Sequence, residues 1–326
     1  MVRFSQTRKQ KKRSVPPPTR RVGGLVHDSK KVPPPTRRVG GSVPDSKKVP
    51  PPGPNQCHPR VKHGHGTCLP MSILERASSI LEGGSKKKKQ KQNIVKSLHE
   101  QLGVKEGNQL SLLKALPFSE EEKASLAQTY LRPPMPEEWK SDPDKWLDSN
   151  NIRDVMRQYE EAHPDFKFLG PYPIDFAAPE DSTATSKGHS KECLIDEMCD
   201  LDLSEEVLQG KNKIGIVYNL DPHYKSGSHW VANYIDIPKK SCYYFDSYGM
   251  KPPKQIYEFM QWLSLQDPKI KLGFNGRQFQ HQNSECGMYC LYFLDRMIAG
   301  DPYLQFCRRA PPDKYMLDFR DWLFST

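Results

Sequence analysis

KIGIVYNLDPHYKSGSHWVANYIDIPKKSCYYFDSYG, residues 213–249, contains three runs rich in β-branched and aromatic residues: KIGIVYNL, HWVANYIDI and CYYFDSYG. Such runs read as strands. A tight PKKS turn at 238–241 joins the last two into a hairpin. Beyond it, KQIYEFMQWLSLQ (254–266) reads as a helix, KIKLGF (269–274) and RQFQ (277–280) as short strands. Residues 286–298 then form an apolar helix with Cys286, Cys290, Phe293, Leu294 and Met297 on one face. Upstream, NIRDVMRQYEEAH (151–163) is amphipathic and helical, FKFLGPYPIDF (166–176) is extended, and ECLIDEMCDLDLSEEVLQ (192–209) is mostly helical. The pattern is α+β, with a mainly antiparallel central sheet and packed helices.

The chain of 326 residues is long enough to bury a substantial core. Its eight cysteines lie far apart, without the dense framework of a small secreted domain, so folding without disulfides in a reducing compartment is expected. The N-terminus has no apolar segment behind its charges, and no run of eighteen apolar residues occurs, so neither a signal peptide nor a membrane span is expected.

The net charge of +10 is concentrated at one end. Residues 1–56 carry 14 Lys+Arg against 2 Asp+Glu, leaving 35 against 37 elsewhere. VPPPTRRVGGLVHDSKK (15–31) repeats as VPPPTRRVGGSVPDSKK (32–48) with two changes, and a third copy begins at Val49. Proline triplets, Gly-Gly and few large apolar side chains cannot offset the ordering entropy, so 1–56 reads as a disordered basic tail. Two readings of its charge stand side by side: binding to nucleic acid, or a solubilising tether.

CHPRVKHGHGTCLP (57–70) groups Cys57, His58, His63, His65 and Cys68. The spacing lacks the paired ligands of compact zinc sites, so a structured loop is expected and no metal. SILERASSILE (72–82) and NIVKSLHEQLG (93–103) read as helices around the solvated GGSKKKKQKQ. Ser119 and Glu122 form a capping box that opens a further helix. PPMPEEW then marks a boundary near residue 135, giving three parts: a tail (1–56), a helical extension (57–135) and a main domain (136–326).

Chemistry concentrates in the main domain. Cys286 opens its helix, where unsatisfied N–H groups and the helix dipole favour a thiolate. Gly287 beside it leaves room for a substrate backbone. A thiolate nucleophile needs an imidazole, and the imidazole an oxygen acceptor. His229 stands at the mouth of one hairpin strand, and folding the hairpin brings Asp246 close to it. The rival Asp236, seven residues along, points to the other face. Gln280, six residues before the cysteine, is placed to join the Cys286 amide in holding an oxyanion.

HW, FDSYG and Q-x5-CG opening an apolar helix resemble the cysteine peptidases that include the adenovirus protease and the SUMO-specific proteases. NLDPH, SGSHW, YYFDSYG and NSECGMYCLYFL are most similar to the branch from large cytoplasmic DNA viruses. The resemblance covers roughly residues 140–326 and implies a papain-like, adenain-like fold. It also implies catalytic His229 and Asp246, oxyanion-holding Gln280, nucleophilic Cys286, and Trp230 as an aromatic over the substrate channel. No cofactor is called for. The function it implies is a viral endopeptidase cleaving structural polyproteins or core proteins, after Gly-Gly, in virions and at assembly sites in the host cytoplasm. Gly-Gly at 23–24, 40–41 and 83–84 raises self-processing. Competing expectations are a SUMO or ubiquitin deconjugating protease, acyl transfer on the same residues, and an inactive nucleic-acid-binding core protein.

Overall fold

The computed structural model describes residues 57–61, 66–83, 91–178 and 193–326. The basic tail with its repeats, His63, His65, Gly84 and the lysine run that follows lie outside these residues.

Four helices come first: α1 (Met71–Leu81), α2 (Lys91–Leu102), α3 (Gln109–Ala115) and α4 (Glu120–Tyr130). They close around Leu74, Leu98, Leu112 and Leu126. Ser119 caps α4 by accepting from the Glu122 amide, but the Glu122 carboxylate turns to Arg76. Cys57 and Cys68 form a disulfide, and Cys193 and Cys199 a second, contrary to the expectation of a fold without them. The first pair meets because Cys57 bridges Leu131, while Gln109 holds the Cys68 amide through its side-chain oxygen. Among the described residues no cluster of three metal-ligating side chains occurs. His58 instead pairs with Glu161 at 3.3 Å.

A short 3₁₀ turn (Glu137–Lys140) leads to α5 (Ser149–Ala162), whose start is fixed by a reciprocal box between Asp148 and Asn151. Then follow β1 (Phe166–Pro173), α6 (Asp196–Cys199), α7 (Leu203–Leu208), β2 (Lys213–Asn219), β3 (Trp230–Asp236), β4 (Ser241–Phe245), α8 (Lys254–Gln266) and β5 (Lys271–Phe274). The last helices are α9 (Cys286–Ile298), α10 (Tyr303–Arg308) and α11 (Asp313–Leu323).

The sheet order is β1-β2-β3-β4-β5. Its centre is antiparallel, and each edge pair is parallel, because α6 and α7 cross from β1 to β2 and α8 from β4 to β5. Helices therefore cover both faces. On one side α8 meets Ile214, Ile216, Val231 and Tyr244. On the other, α5, α9 and α11 meet Val217, Ala232 and Phe245. β3 is buried along its whole length, which is why it reads as nearly continuous apolar sequence.

RQFQ forms no strand. The Phe279 and Gln280 amides both donate to the Ser247 carbonyl, at 2.7 and 2.9 Å, which pins the segment as a loop beside the end of β4. That loop delivers the chain to α9. Among the described residues no helix is long and apolar enough to cross a membrane.

Candidate active site

His229 immediately precedes β3. Ala232 pairs with Phe245, so the next residue, Asp246, falls opposite Val231, two positions from His229. The side chains close that gap, with His229 Nε2 2.9 Å from Asp246 Oδ1. Asp236, at the other end of β3, caps the hairpin turn by accepting from the Lys239 amide and pairing with its ammonium.

Asp246 is held from several directions. Its backbone N–H donates to Asn275 Oδ1 at 2.9 Å, and Asn275 Nδ2 donates to its carbonyl at 2.6 Å. Its Oδ1 also accepts from the Tyr248 amide at 2.8 Å. The Tyr248 ring stacks on His229 with centroids 4.8 Å apart. The turn closes at Gly249, whose φ of +73° and 2.7 Å approach to the Arg277 backbone admit no side chain.

With Nε2 donating to the carboxylate, Nδ1 is left free for a thiol, and Cys286 lies near enough to act on the charge of the ring. Burial opposes charge on the ring. Asp246 and then Cys286 outweigh it and hold the ring at about 9. His229 is therefore charged at neutral pH. Cys286 is the first residue of α9, where the amide has no intrahelical acceptor and the dipole favours an anion. The other unpaired cysteines are unsuited to nucleophilic work. Burial pushes Cys242 up to about 12 and Cys307 up to about 11, and it drives Cys290 well above its ordinary value, with the Cys286 charge adding to the rise.

Gln280 is fully buried. Its Oε1 accepts from Ser247 Oγ at 2.6 Å and its Nε2 donates to the Gln282 carbonyl at 2.8 Å. The amide nitrogen carries two hydrogens, so one donor remains uncommitted. Trp230 is buried, and its Nε1 donates to the Leu147 carbonyl at 2.9 Å. Gly287 is buried too. A methyl group there would stand 3.0 Å from Leu147 Cβ and 3.3 Å from Trp230 Cδ1. Its small size thus serves the packing of α9 against these two residues.

Local sequence reading missed Asn275 and Tyr248, Asp313, whose carboxylate accepts from the Tyr289 hydroxyl at 2.9 Å, and the 3.0 Å ion pair of Arg320 with Glu285, the residue before Cys286. Tyr248 had a signal, standing two residues after Asp246 in an aromatic turn. The others act across long separations.

The arrangement can generate a thiolate, hold an imidazolium against it, and present amide donors nearby. Residues 181–320 match the Ulp1 protease family, C-terminal catalytic domain. The chain is 33% identical over 165 residues to a protein of Acanthamoeba polyphaga mimivirus named as a thiol protease, covering 49% of this chain and 50% of that one. It is 31% identical over 121 residues to a protein of an African swine fever virus isolate named as a SUMO-1 cysteine protease, covering 35% of this chain and 44% of that one. The matched segments span about half the length of these curated relatives. The fold is similar to that of the crystal structure of an African swine fever virus protease, with TM-score 0.55 and 20% identity over 83% of this chain and 96% of that one. The resemblance read from the sequence therefore stands.

Proposed function

We propose that this chain, matched to a protease catalytic domain over 181–320, is a cysteine endopeptidase working through Cys286, His229, Asp246 and Gln280. The observation that carries the reading is His229, bonded to Asp246 through Nε2 at 2.9 Å and close enough to the Cys286 that begins α9 for each to influence the ring's charge. The thiolate attacks the peptide carbonyl, and the oxyanion is held by the Cys286 amide and the remaining donor of Gln280. His229 gives its proton to the leaving amine. It then takes one from the water that hydrolyses the thioester. Asp246 keeps the imidazolium oriented and charged. Trp230 borders the substrate channel, and Gly287 lets α9 and Trp230 approach each other.

In this reading 136–326 is the catalytic unit, 57–135 a helical extension and 1–56 a basic tail. The substrate is a viral structural polyprotein or core protein cut after Gly-Gly, in an infected cell at sites of virion assembly. The viral relatives and the family resemblance support this. The tail's charge motivates a nucleic-acid contact.

Purified protein and its Cys286→Ala variant, each offered a fluorogenic Gly-Gly peptide and SUMO and ubiquitin reporters, test the reading. Cleavage of the short peptide, lost in the variant, is expected. Cleavage of folded modifiers alone shifts the reading to deconjugation, which the family match and one relative's name favour. Equal activity in the variant refutes the role of Cys286.

A further inference from the structure

Asp313 and Arg320 stand seven residues apart on α11, two helical turns, so their side chains share one face. That face lies along the loop from Gln280 to Cys286. At one end, Asp313 Oδ2 accepts from the amides of His281 and Gln282, at 3.0 and 2.9 Å, and its Oδ1 accepts from the Tyr289 hydroxyl at 2.9 Å. The Gln282 carbonyl in turn accepts from Gln280 Nε2 and, at 3.4 Å, from the hydroxyl of Tyr248, the ring that covers His229. The carboxylate thus acts one residue away from the oxyanion donor.

At the other end, Arg320 Nη2 lies 3.0 Å from Glu285 Oε1, with side-chain exposures of 4% and 2%. Glu285 immediately precedes the nucleophile. Arg320 Nη1 also donates to the carbonyls of Pro143 and Lys145, at 2.9 and 2.7 Å, and the guanidinium sits 4.4 Å above the Trp139 ring. These carbonyls lead into Leu147, which holds Trp230 and packs on Gly287.

We infer that α11 positions the catalytic loop from both ends, Asp313 fixing the oxyanion side and Arg320 the thiol side. The inference rests on the peptidase reading. Both are positioning residues, since each acts through a neighbour of the reacting groups. Two buried charges next to a nucleophile are a costly way to pack a helix, because desolvation of an ion pair largely cancels its attraction. What they supply is fixed geometry for an otherwise irregular loop. His229, Tyr248 and Cys290 face Cys286, whereas Asp142 and Asp144 share the surroundings of Arg320.

The test compares the full chain with Asp313→Asn, Arg320→Lys and Arg320→Met. It reads kcat and KM on the cleaved peptide, the rate of Cys286 alkylation by iodoacetamide at one fixed pH, and the melting temperature. Asp313→Asn should lower kcat by about 10- to 100-fold with KM within about twofold, because the donor is displaced while binding persists. Its alkylation rate should match the parent. Arg320→Met should lower kcat and slow the alkylation of Cys286 by about 10-fold or more, with Arg320→Lys in between, because the loop that carries the thiol is no longer held. If Arg320→Met does not fold, Arg320→Lys carries that arm. Variants that melt lower yet keep the parent kcat and alkylation rate would overturn the inference and leave α11 a structural cover. If the parent cleaves nothing, the peptidase reading fails, while the alkylation arm still decides whether Arg320 sets the thiol.

Discussion

Replacing Asp246 with Asn separates charge from geometry at the proposed histidine pair. An amide oxygen still accepts from His229 Nε2 and from the Tyr248 amide, the bonds of 2.9 and 2.8 Å now made by Oδ1. Only the negative charge goes. Burial disfavours the charged ring. The bond to Asp246 is the largest influence against it, Cys286 follows, and together they hold His229 at about 9 instead of 6.5. That difference corresponds to about 3 kcal/mol in favour of the imidazolium. Without the Asp246 charge, burial is opposed less strongly and the ring should fall below its parent value. A raised pKa means that the charged ring is present below that value and lost above it. The alkaline limb of kcat/KM should therefore sit near pH 9 in the parent and at lower pH in the variant. The stability from this pair is fully present below about 6.5 and declines as pH rises through about 9. The variant should lose the part that the Asp246 charge supplies. The assay is kcat/KM against pH, with melting curves at the same pH values. An alkaline limb within about half a unit of the parent, in a folded variant, would refute the assignment.

Gln280→Ala removes a buried donor and should lower kcat by about 10²–10³, read from steady-state kinetics with KM little changed. Gly287→Ala places a methyl 3.0 Å from Leu147 Cβ. Overpacking of about 1–3 kcal/mol, partly offset by about 1 kcal/mol of helix propensity, should lower both the melting temperature and kcat/KM. Asn275→Ala leaves the buried N–H and C=O of Asp246 without their side-chain partner. A loss of roughly 2 kcal/mol or more should appear in denaturant unfolding, together with reduced activity.

The main elements were legible because their apolar patterns are strong. β2, β3 and β4 read as strands from β-branched and aromatic runs, and α9 from its single apolar face. The hairpin alone put Asp246 within reach of His229, since pairing in β3–β4 follows from the turn. RQFQ misled because its alternation resembles a strand, whereas its amides are taken up by one carbonyl, that of Ser247. Helices α3, α10 and α11 are short or of mixed polarity and gave no clear period. Asn275 and Arg320 stayed hidden for a different reason. Asn275 reaches back 29 residues to Asp246 and Arg320 reaches 175 and 177 residues to Lys145 and Pro143, and no local pattern announces such a pairing. The disulfides escaped likewise, since sparse cysteines argue against a framework but not against a single pair.

The reach of Arg320 also bears on time. It joins the early-made 143–145 stretch to the residue before Cys286, and closing so large a loop is slow compared with zipping the hairpin that holds His229 and Asp246. The histidine–aspartate pair can thus assemble before the loop that carries Cys286 is held in place. On the proposed reading, the complete site is then among the last features the folding chain acquires.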